Sequence, residues 1–205
     1  KTIADLKDRP FLLADASITG FWVWLKAKYG FTDEQVRKYT FDPAPFLDDE
    51  LAVQQGLLTS DPYLVEQAGD IDPKVFLLAD EGYPSYAAMV LSPDGFARDN
   101  AKALRSFIAA SAEGWRDYMN GDPAAANALI KRDNPDMTDA VLKQARDALN
   151  ANSIVEGGDS ALYGLGTMTV ERWQAFFDST SSAGVYPPNL NWRNAFTDNY
   201  LPGRG

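Results

Sequence analysis

The first 92 residues alternate short apolar runs with turn-rich breaks. Apolar runs bounded by turn residues predict strands, and stretches of helical periodicity between them predict helices. The predicted strands are FLLA (11–14), YTF (39–41), LLTS (57–60), VFLLA (75–79) and YAAMVLS (86–92). The predicted helices between them cover residues 19–29, 33–37 and 45–55. This alternation is typical of an α/β layer with a largely parallel sheet.

From Asp99 onward the pattern becomes helical. Apolar residues recur at spacings of three and four between Leu104 and Tyr118, and this pattern defines one face of a helix that ends at Gly121. Further helices are predicted over residues 124–132, after a cap at Thr138, and from Thr169 to Gly184. The carboxyl half is therefore predicted to be helix-rich.

Two hydroxyl-rich turns each follow a predicted strand and precede a helix. The first contains Asp15, Ser17 and Thr19, and the second contains Ser60 and Asp61. The start of a helix has free N–H groups that favour a polar ligand atom, and open α/β sheets bind ligands at the carboxyl ends of their strands. These side chains are therefore candidate ligand contacts, although either hydroxyl turn also fits simple helix capping.

Four aromatic residues are candidate walls of the same site. Tyr63 follows the second turn and can lean across the strand end, and Tyr83 and Tyr86 lie in the bend DEGYPSYAAMV, which otherwise reads as a surface loop. Trp22 in the first helix is either a stacking surface or a core residue.

The composition excludes several kinds of chemistry. The 205 residues carry a net charge of −10 without a dense Lys/Arg cluster, so nucleic acid is not an expected partner. They contain no His and no Cys, which rules out Ser-His-Asp triads, thiolate nucleophiles and Cys/His zinc sites within this chain. No metal-ligand spacing and no phosphate or dinucleotide motif is present, so we predict no metal, no cofactor and no catalytic residue.

Several segments resemble one known family in their order and spacing. They are DLK (5–7), LAVQQGLLTSDPY (51–63), GYPSYAAMVLS (82–92), SFIAASAEGWRDYMNGDPAAANALI (106–130) and MTVERWQAFFDSTSSAGV (168–185). Together they resemble the solute-binding proteins of ABC transporters of the NMT1/THI5-like or SsuA-like type, over nearly the whole chain. The chain departs from the family pattern at Asp8-Arg9, where Gly-Lys is common, and at Thr59-Ser60, where the family commonly has V-D-A. These departures imply a subfamily with a different ligand.

The resemblance implies a periplasmic-binding-protein-like (type II) fold of two α/β lobes around a cleft. Residues 1–82 would form lobe two, residues 83–86 the hinge crossing, and residues 87–205 the carboxyl part of lobe one. The first segment of lobe one would then be missing, together with a signal peptide. We therefore expect a truncated chain whose helix face at Phe107, Ile108 and Trp115 is covered by a second copy or by a companion amino-terminal fragment.

The resemblance also implies a function. The chain would be the periplasmic or lipid-anchored component of an ABC importer, and it would deliver a small nutrient to the membrane permease. Known ligands of such proteins include thiamine-type pyrimidines, sulfonates, nitrate and riboflavin-like compounds. The alternatives are a ligand-sensing domain of a signalling receptor and a pyrimidine-synthase-like enzyme. The synthases use a histidine and a cysteine-rich motif, and this chain contains neither residue.

Overall fold

The computed structural model describes residues 2–202 and divides into two compact units. One unit consists of Lys1–Ser85 with Glu171–Trp192, and the other of Tyr86–Val170 with Arg193–Gly205. The boundary between Ser85 and Tyr86 lies within residues 83–86, the segment that the resemblance implies as the hinge crossing. The segment Glu171–Trp192 joins the first unit, whereas the implied lobes keep residues 87–205 together.

The first unit contains a small parallel sheet. Its strands are β1 (Phe11–Leu13), β2 (Val36–Lys38) and β3 (Val53–Gln54), in the order β2-β1-β3. Both outer strands pair with the central one, so that Phe11 is opposite Val36 on one side and Val53 on the other. The strand predicted over residues 11–14 and the parallel α/β character of this half are thus confirmed.

Ten α-helices lie within residues 2–202. Those of the first unit are α1 (Asp15–Ile18), α2 (Phe21–Tyr29), α3 (Ala44–Leu47), α4 (Asp61–Gly69) and α10 (Val170–Ser182, from Glu171 onward). Those of the second unit are α5 (Asp94–Asp99), α6 (Ala101–Asn120), α7 (Ala124–Asp133), α8 (Asp139–Ala151) and α9 (Asp159–Tyr163). Short 3-10 helices cover Ile3–Leu6, Asp33–Gln35 and Trp192–Asn194.

The helix-rich carboxyl half is confirmed. The long α6 ends at the predicted Gly121. The hydroxyl of Thr138 accepts a hydrogen bond from Val141 N–H at 3.3 Å and caps α8, as its position in the sequence predicts. Arg146 of α8 donates to the carbonyls of Met119 and Gly121, each at 2.8 Å, and so ties α8 to the end of α6.

An aromatic cluster forms the core between β1 and α2. Phe11 lies 5.0 Å from the ring of Trp22, which stacks on Phe31 at 5.7 Å. Trp22 is fully buried, and its indole N–H donates to Asp33 at 2.8 Å, which satisfies its polar atom. The bulky residues that follow the first hydroxyl turn therefore anchor α2 to the sheet.

The predictions around the second strand are wrong. The helix predicted over residues 33–37 is only one 3-10 turn, in which Thr32 N–H donates to the Gln35 side chain at 3.0 Å. The strand predicted over residues 39–41 begins three residues earlier, at Val36. Pairing of β-branched Val36 with Phe11 overrides the local helical pattern, and a positive φ of 63° at Phe41 ends the extended segment.

The predictions around the third strand are also wrong. The helix predicted over residues 45–55 stops at Leu47, and the carboxylate of Asp49 then accepts a hydrogen bond from Leu51 N–H at 2.9 Å, which forms a turn. Val53 and Gln54, which the prediction includes in that helix, form β3 instead. The strand predicted over residues 57–60 is a turn.

Two further predicted strands do not occur. Residues 75–79 and 86–92 form no strand in the described part of the chain, and the sheet has three strands there. Asp80 N–H instead donates to Leu77 at 3.1 Å, which closes a turn at the end of the first of these segments. Apolar runs of this length predict buried strands, but residues 87–91 are exposed in this structure, and neither segment pairs with a neighbouring strand.

Candidate functional site

The strand order creates a crevice at the carboxyl ends of β1 and β3. The chain passes from β1 to β2 on one side and returns to β3 on the other side of β1. In open parallel sheets, ligands usually bind where connections diverge in this way. A cavity of about 780 Å³ extends along the sheet to this point, and all its lining residues belong to the first unit. Its volume is typical of sites for small molecules, about 300–1,000 Å³.

The walls of the cavity are mostly apolar. Phe11 and Leu13 of β1 contribute from one face of the sheet, since side chains alternate along a strand, and Leu64 and Val65 contribute from α4. The other large apolar lining residues are Ile3, Leu6, Phe21, Leu25, Phe41, Phe46, Val53, Leu57, Leu58, Val75, Phe76, Leu77 and Leu78. Such a surface accepts flat or aliphatic groups and leaves selectivity to a few polar side chains.

Asp61 is the centre of the polar end of the cavity. One carboxylate oxygen, Oδ1, accepts a hydrogen bond from the Tyr39 hydroxyl at 3.0 Å. The other, Oδ2, accepts from Leu57 N–H at 2.8 Å and from the Ser60 hydroxyl at 2.9 Å. Asp61 also lies in the first turn of α4, where a negative charge is stabilised by the helix dipole.

Tyr39 brings β2 into the same cluster. It directly follows β2, and its N–H donates to Leu13 at 3.0 Å, which continues the ladder to the carboxyl end of the sheet. Its hydroxyl accepts a hydrogen bond from the Gln54 side-chain amide at 3.3 Å. Burial raises the pKa of Tyr39 to about 12, with help from the hydrogen bond to Asp61 and from the negative charges of Asp61 and Asp42. The hydroxyl is therefore a stable hydrogen-bond donor at neutral pH.

Gln55 joins the ends of β1 and β3. Its backbone N–H donates to Leu12 at 3.1 Å, and its side-chain carbonyl accepts from Ala14 N–H at 2.6 Å. The side chain thereby takes the place of a further backbone bond between the two strands. Gln55 thus holds the carboxyl ends of β1 and β3 together at the polar end of the cavity.

Phe41 lines the cavity in an unfavourable backbone conformation. Its φ of 63° is rare for a bulky residue, and 76% of its surface is exposed. Its ring lies 5.0 Å from that of Tyr39. Strain of this kind clusters at ligand sites, where the surrounding structure maintains it.

The structure brings together three of the predicted site residues. Ser17, Ser60 and Asp61 line the cavity. Asp15 and Thr19 are exposed and do not line it, and the Thr19 hydroxyl donates to Ala16 at 3.2 Å.

The four aromatic candidates lie outside the cavity lining. Trp22 belongs to the core, as described above, and Tyr63 is half-buried on α4. The ring of Tyr83 packs 5.1 Å from Trp24 in the first unit, and burial raises its pKa.

Tyr86 belongs to the second unit. Its hydroxyl donates to Asp159 and accepts from Thr169 N–H, both at 2.8 Å. Burial raises its pKa, and the hydrogen bonds from Thr169 oppose this shift. In this structure Tyr86 thus connects the first residue of α9 to the residue that precedes α10.

Sequence reasoning missed Tyr39, Gln54 and Gln55. The sequence predicts Tyr39 at the start of a strand and the two glutamines within a helix, so it places none of them at the carboxyl end of a strand. The signal that could have found the glutamines is the sequence Val53-Gln54-Gln55-Gly56, a short apolar start followed by polar residues and a glycine.

The described residues offer neither a metal site nor a membrane span. No group of three or more acidic side chains within residues 2–202 is arranged to hold a metal ion. None of the helices in that range combines the length and the apolarity needed to cross a membrane.

A comparison with protein families confirms the resemblance to the NMT1/THI5-like family. The family model described as NMT1/THI5 like matches residues 23–126, just over half of the chain. This segment includes Tyr39, Gln54 and Asp61. No curated protein and no solved structure matched the chain. The family match shows that the chain belongs to the NMT1/THI5-like family.

Proposed function

We propose that the chain is the solute-binding component of an ABC importer, which captures a small polar or heteroaromatic nutrient. Family membership supports a solute-binding role, since most NMT1/THI5-like domains are binding proteins. The observation that carries the proposal is the cavity of about 780 Å³ whose polar end lies at the carboxyl ends of β1 and β3.

The proposed mechanism is closure of a two-lobe protein around its ligand. Contacts from both lobes stabilise the closed state, which the membrane permease then recognises. The type II two-lobe fold, the periplasmic or lipid-anchored location and the permease partner are parts of this proposal.

The chemistry of the cavity favours binding over catalysis. The two ionisable side chains at its polar end, Tyr39 and Asp61, are engaged with each other. Tyr39, with its pKa raised to about 12, does not release its proton near neutral pH and is therefore a poor general base. The family includes a pyrimidine synthase, but the histidine and cysteine of that chemistry are missing from these 205 residues.

Ser17, Ser60 and Asp61 are the proposed hydrogen-bonding contacts, because they line the cavity. Ser17 belongs to α1, directly after β1, and Ser60 immediately precedes α4. The two hydroxyl turns would therefore contact the same ligand. The proposed ligand classes are pyrimidines, sulfonates, nitrate and riboflavin-like compounds.

Native mass spectrometry of the purified protein, followed by denaturing mass spectrometry of the same sample, tests the proposal. We expect a small molecule that is lost on denaturation and that identifies the ligand. Ser17→Ala should weaken binding of that ligand by about tenfold, the effect of one lost hydrogen bond. Thr19→Ala is the matched control, since Thr19 lies in the same turn but does not line the cavity.

A bare chain of 22.5 kDa that also gains no thermal stability from any of the four ligand classes would contradict the proposal. Equal effects of the two alanine substitutions would instead contradict the placement of the ligand at this turn.

A further inference from the structure

We propose that the ligand of the cavity is an amphipathic molecule with a mainly apolar body, either a chain or a ring system, and a single polar group. This inference rests on the proposed solute-binding function, because it names the ligand class of the same cavity. Among the proposed classes, it excludes nitrate and the small sulfonates.

The rim of the cavity consists of apolar side chains that are open to solvent. Phe41 and Leu57 are 76% and 69% exposed, Leu64 and Val75 are 44% and 43% exposed, and all four line the cavity. They come from four separate parts of the first unit: the segments after β2 and β3, the helix α4 and the segment after α4. A ligand is stabilised in proportion to the apolar surface that it removes from water. These side chains are already accessible, so an apolar ligand can contact them directly.

The base of the cavity is apolar as well. Phe11 and Leu13 of β1 and Val65 of α4 line the cavity and are themselves buried. The cavity thus offers apolar surface both at its rim and at its base. A ligand that enters between these segments exchanges water for apolar contacts along its length.

The polar lining side chains are mainly engaged with their neighbours. The hydroxyls of Tyr39 and Ser60 both donate to Asp61, at 3.0 and 2.9 Å, and the side-chain carbonyl of Gln55 accepts from Ala14 N–H at 2.6 Å. These groups therefore have little hydrogen-bonding capacity left for a ligand. Most of the binding free energy must then come from apolar contacts.

Ser17 provides a place for one polar group of the ligand. It is half-buried and lines the cavity, and its hydroxyl bonds to no side chain or backbone atom within residues 2–202. The basic lining groups already have contacts, since Arg9 donates to Leu51 at 3.4 Å and the ammonium of Lys74 lies over the ring of Phe76 at 4.9 Å. One hydroxyl or similar group on the ligand is enough to match this lining.

The size of the cavity argues against small ions. Its volume of about 780 Å³ equals that of about 26 water molecules at about 30 Å³ each. Nitrate, with four atoms, covers little of the apolar rim. It also loses its hydration on entry, and apolar walls do not replace those interactions.

A series of primary alcohols tests the preference for an apolar body. The alcohols 1-butanol, 1-hexanol and 1-octanol share one hydroxyl and differ in the length of an uncharged chain. We expect calorimetry with the full chain to give affinities that rise about fourfold per methylene, the effect of burying that group. Binding of 1-octanol should show a negative change in heat capacity. Nitrate and methanesulfonate should bind weaker than 1-octanol by a factor of about 100 or more.

Two leucine variants test whether the alcohols bind in this cavity. Leu57→Ser removes an exposed apolar side chain from the rim, so 1-octanol should bind about fivefold more weakly. Leu129→Ser is the matched control, because Leu129 is 54% exposed but lies on α7 in the second unit and does not line the cavity. This control should bind 1-octanol as the wild type does.

The outcomes separate this inference from the proposed function. Affinities that do not increase along the alcohol series, or equal losses in the two leucine variants, would overturn the inference. If native mass spectrometry then still finds a small polar molecule on the chain, the solute-binding function stands without it. The absence of both a bound small molecule and any alcohol binding would overturn both proposals.

Discussion

Gly56 and Asp61 approach each other so closely that no side chain fits at position 56. A Cβ atom on Gly56 would lie 2.7 Å from Cβ and 3.0 Å from Cγ of Asp61. The turn after β3 thus passes directly against the first residue of α4. This close approach places the Asp61 carboxylate between Leu57 N–H and the Tyr39 hydroxyl.

Substitution of Gly56 by alanine should therefore disturb the polar end of the cavity. Asp61 has to move, and we expect the free energy of unfolding to fall by about 1–3 kcal/mol because of overpacking. Urea unfolding measures this change. Gly114→Ala on α6 is the control, since a Cβ there meets no atom within 4 Å and should raise stability by about 0.5–1 kcal/mol. Equal stability of Gly56→Ala and the wild type would contradict the close approach.

Ionisation of Tyr39 should make the stability fall at alkaline pH. Its pKa is raised from 10.0 to about 12, so the folded state keeps a proton that the unfolded state releases above pH 10. The stabilising contribution is complete below pH 10 and is lost as the pH rises through about 12. In Tyr39→Phe, the free energy of unfolding should fall less steeply over this interval. Parallel curves for the two proteins would show that Tyr39 is not held in its protonated form.

The hydrogen bond between Trp24 and Ser179 should contribute measurably to the stability of the first unit. Trp24 is buried in the core, and its indole N–H donates to the Ser179 hydroxyl of α10 at 2.7 Å. Ser179→Ala leaves this donor unsatisfied, and we expect a loss of about 1–3 kcal/mol in unfolding free energy. Ser182→Ala, at an exposed position of the same helix, should change stability by less than about 0.5 kcal/mol. Similar losses in both variants would contradict a specific contribution of this hydrogen bond, since alanine is the better helix former and its propensity alone would raise stability.

The sequence predicted the elements that local patterns determine. β1, α2, α6 and the cap of α8 by Thr138 combine a clear periodicity with a clear start or stop signal. In contrast, β2 and β3 have only three and two residues, and their valines lie in stretches that look helical. Their pairing with β1 is a tertiary interaction that no local pattern contains.

The same limit applies to the candidate site. Ser17, Ser60 and Asp61 follow from their positions at helix starts, which the sequence shows directly. The contact between Tyr39 and Asp61 spans 22 residues and depends on the register of β2 against β1. Because Gln54 falls within a predicted helix, its position beside Tyr39 does not follow from the sequence pattern.

We also predict that two copies of the chain associate through an exposed apolar face of α6. Phe107 and Trp115 are 59% and 46% exposed, and they are eight residues apart on one face of the helix. Exposed aromatic residues on one face mark a contact surface, so sedimentation velocity should show association that increases with concentration. The double variant Phe107→Glu/Trp115→Glu should be monomeric under the same conditions. Lys102→Glu at an exposed position of α6 changes the net charge by the same amount and should still associate. A wild-type chain that stays monodisperse and monomeric at micromolar concentration, with little binding of an apolar dye, would show that this face needs no partner.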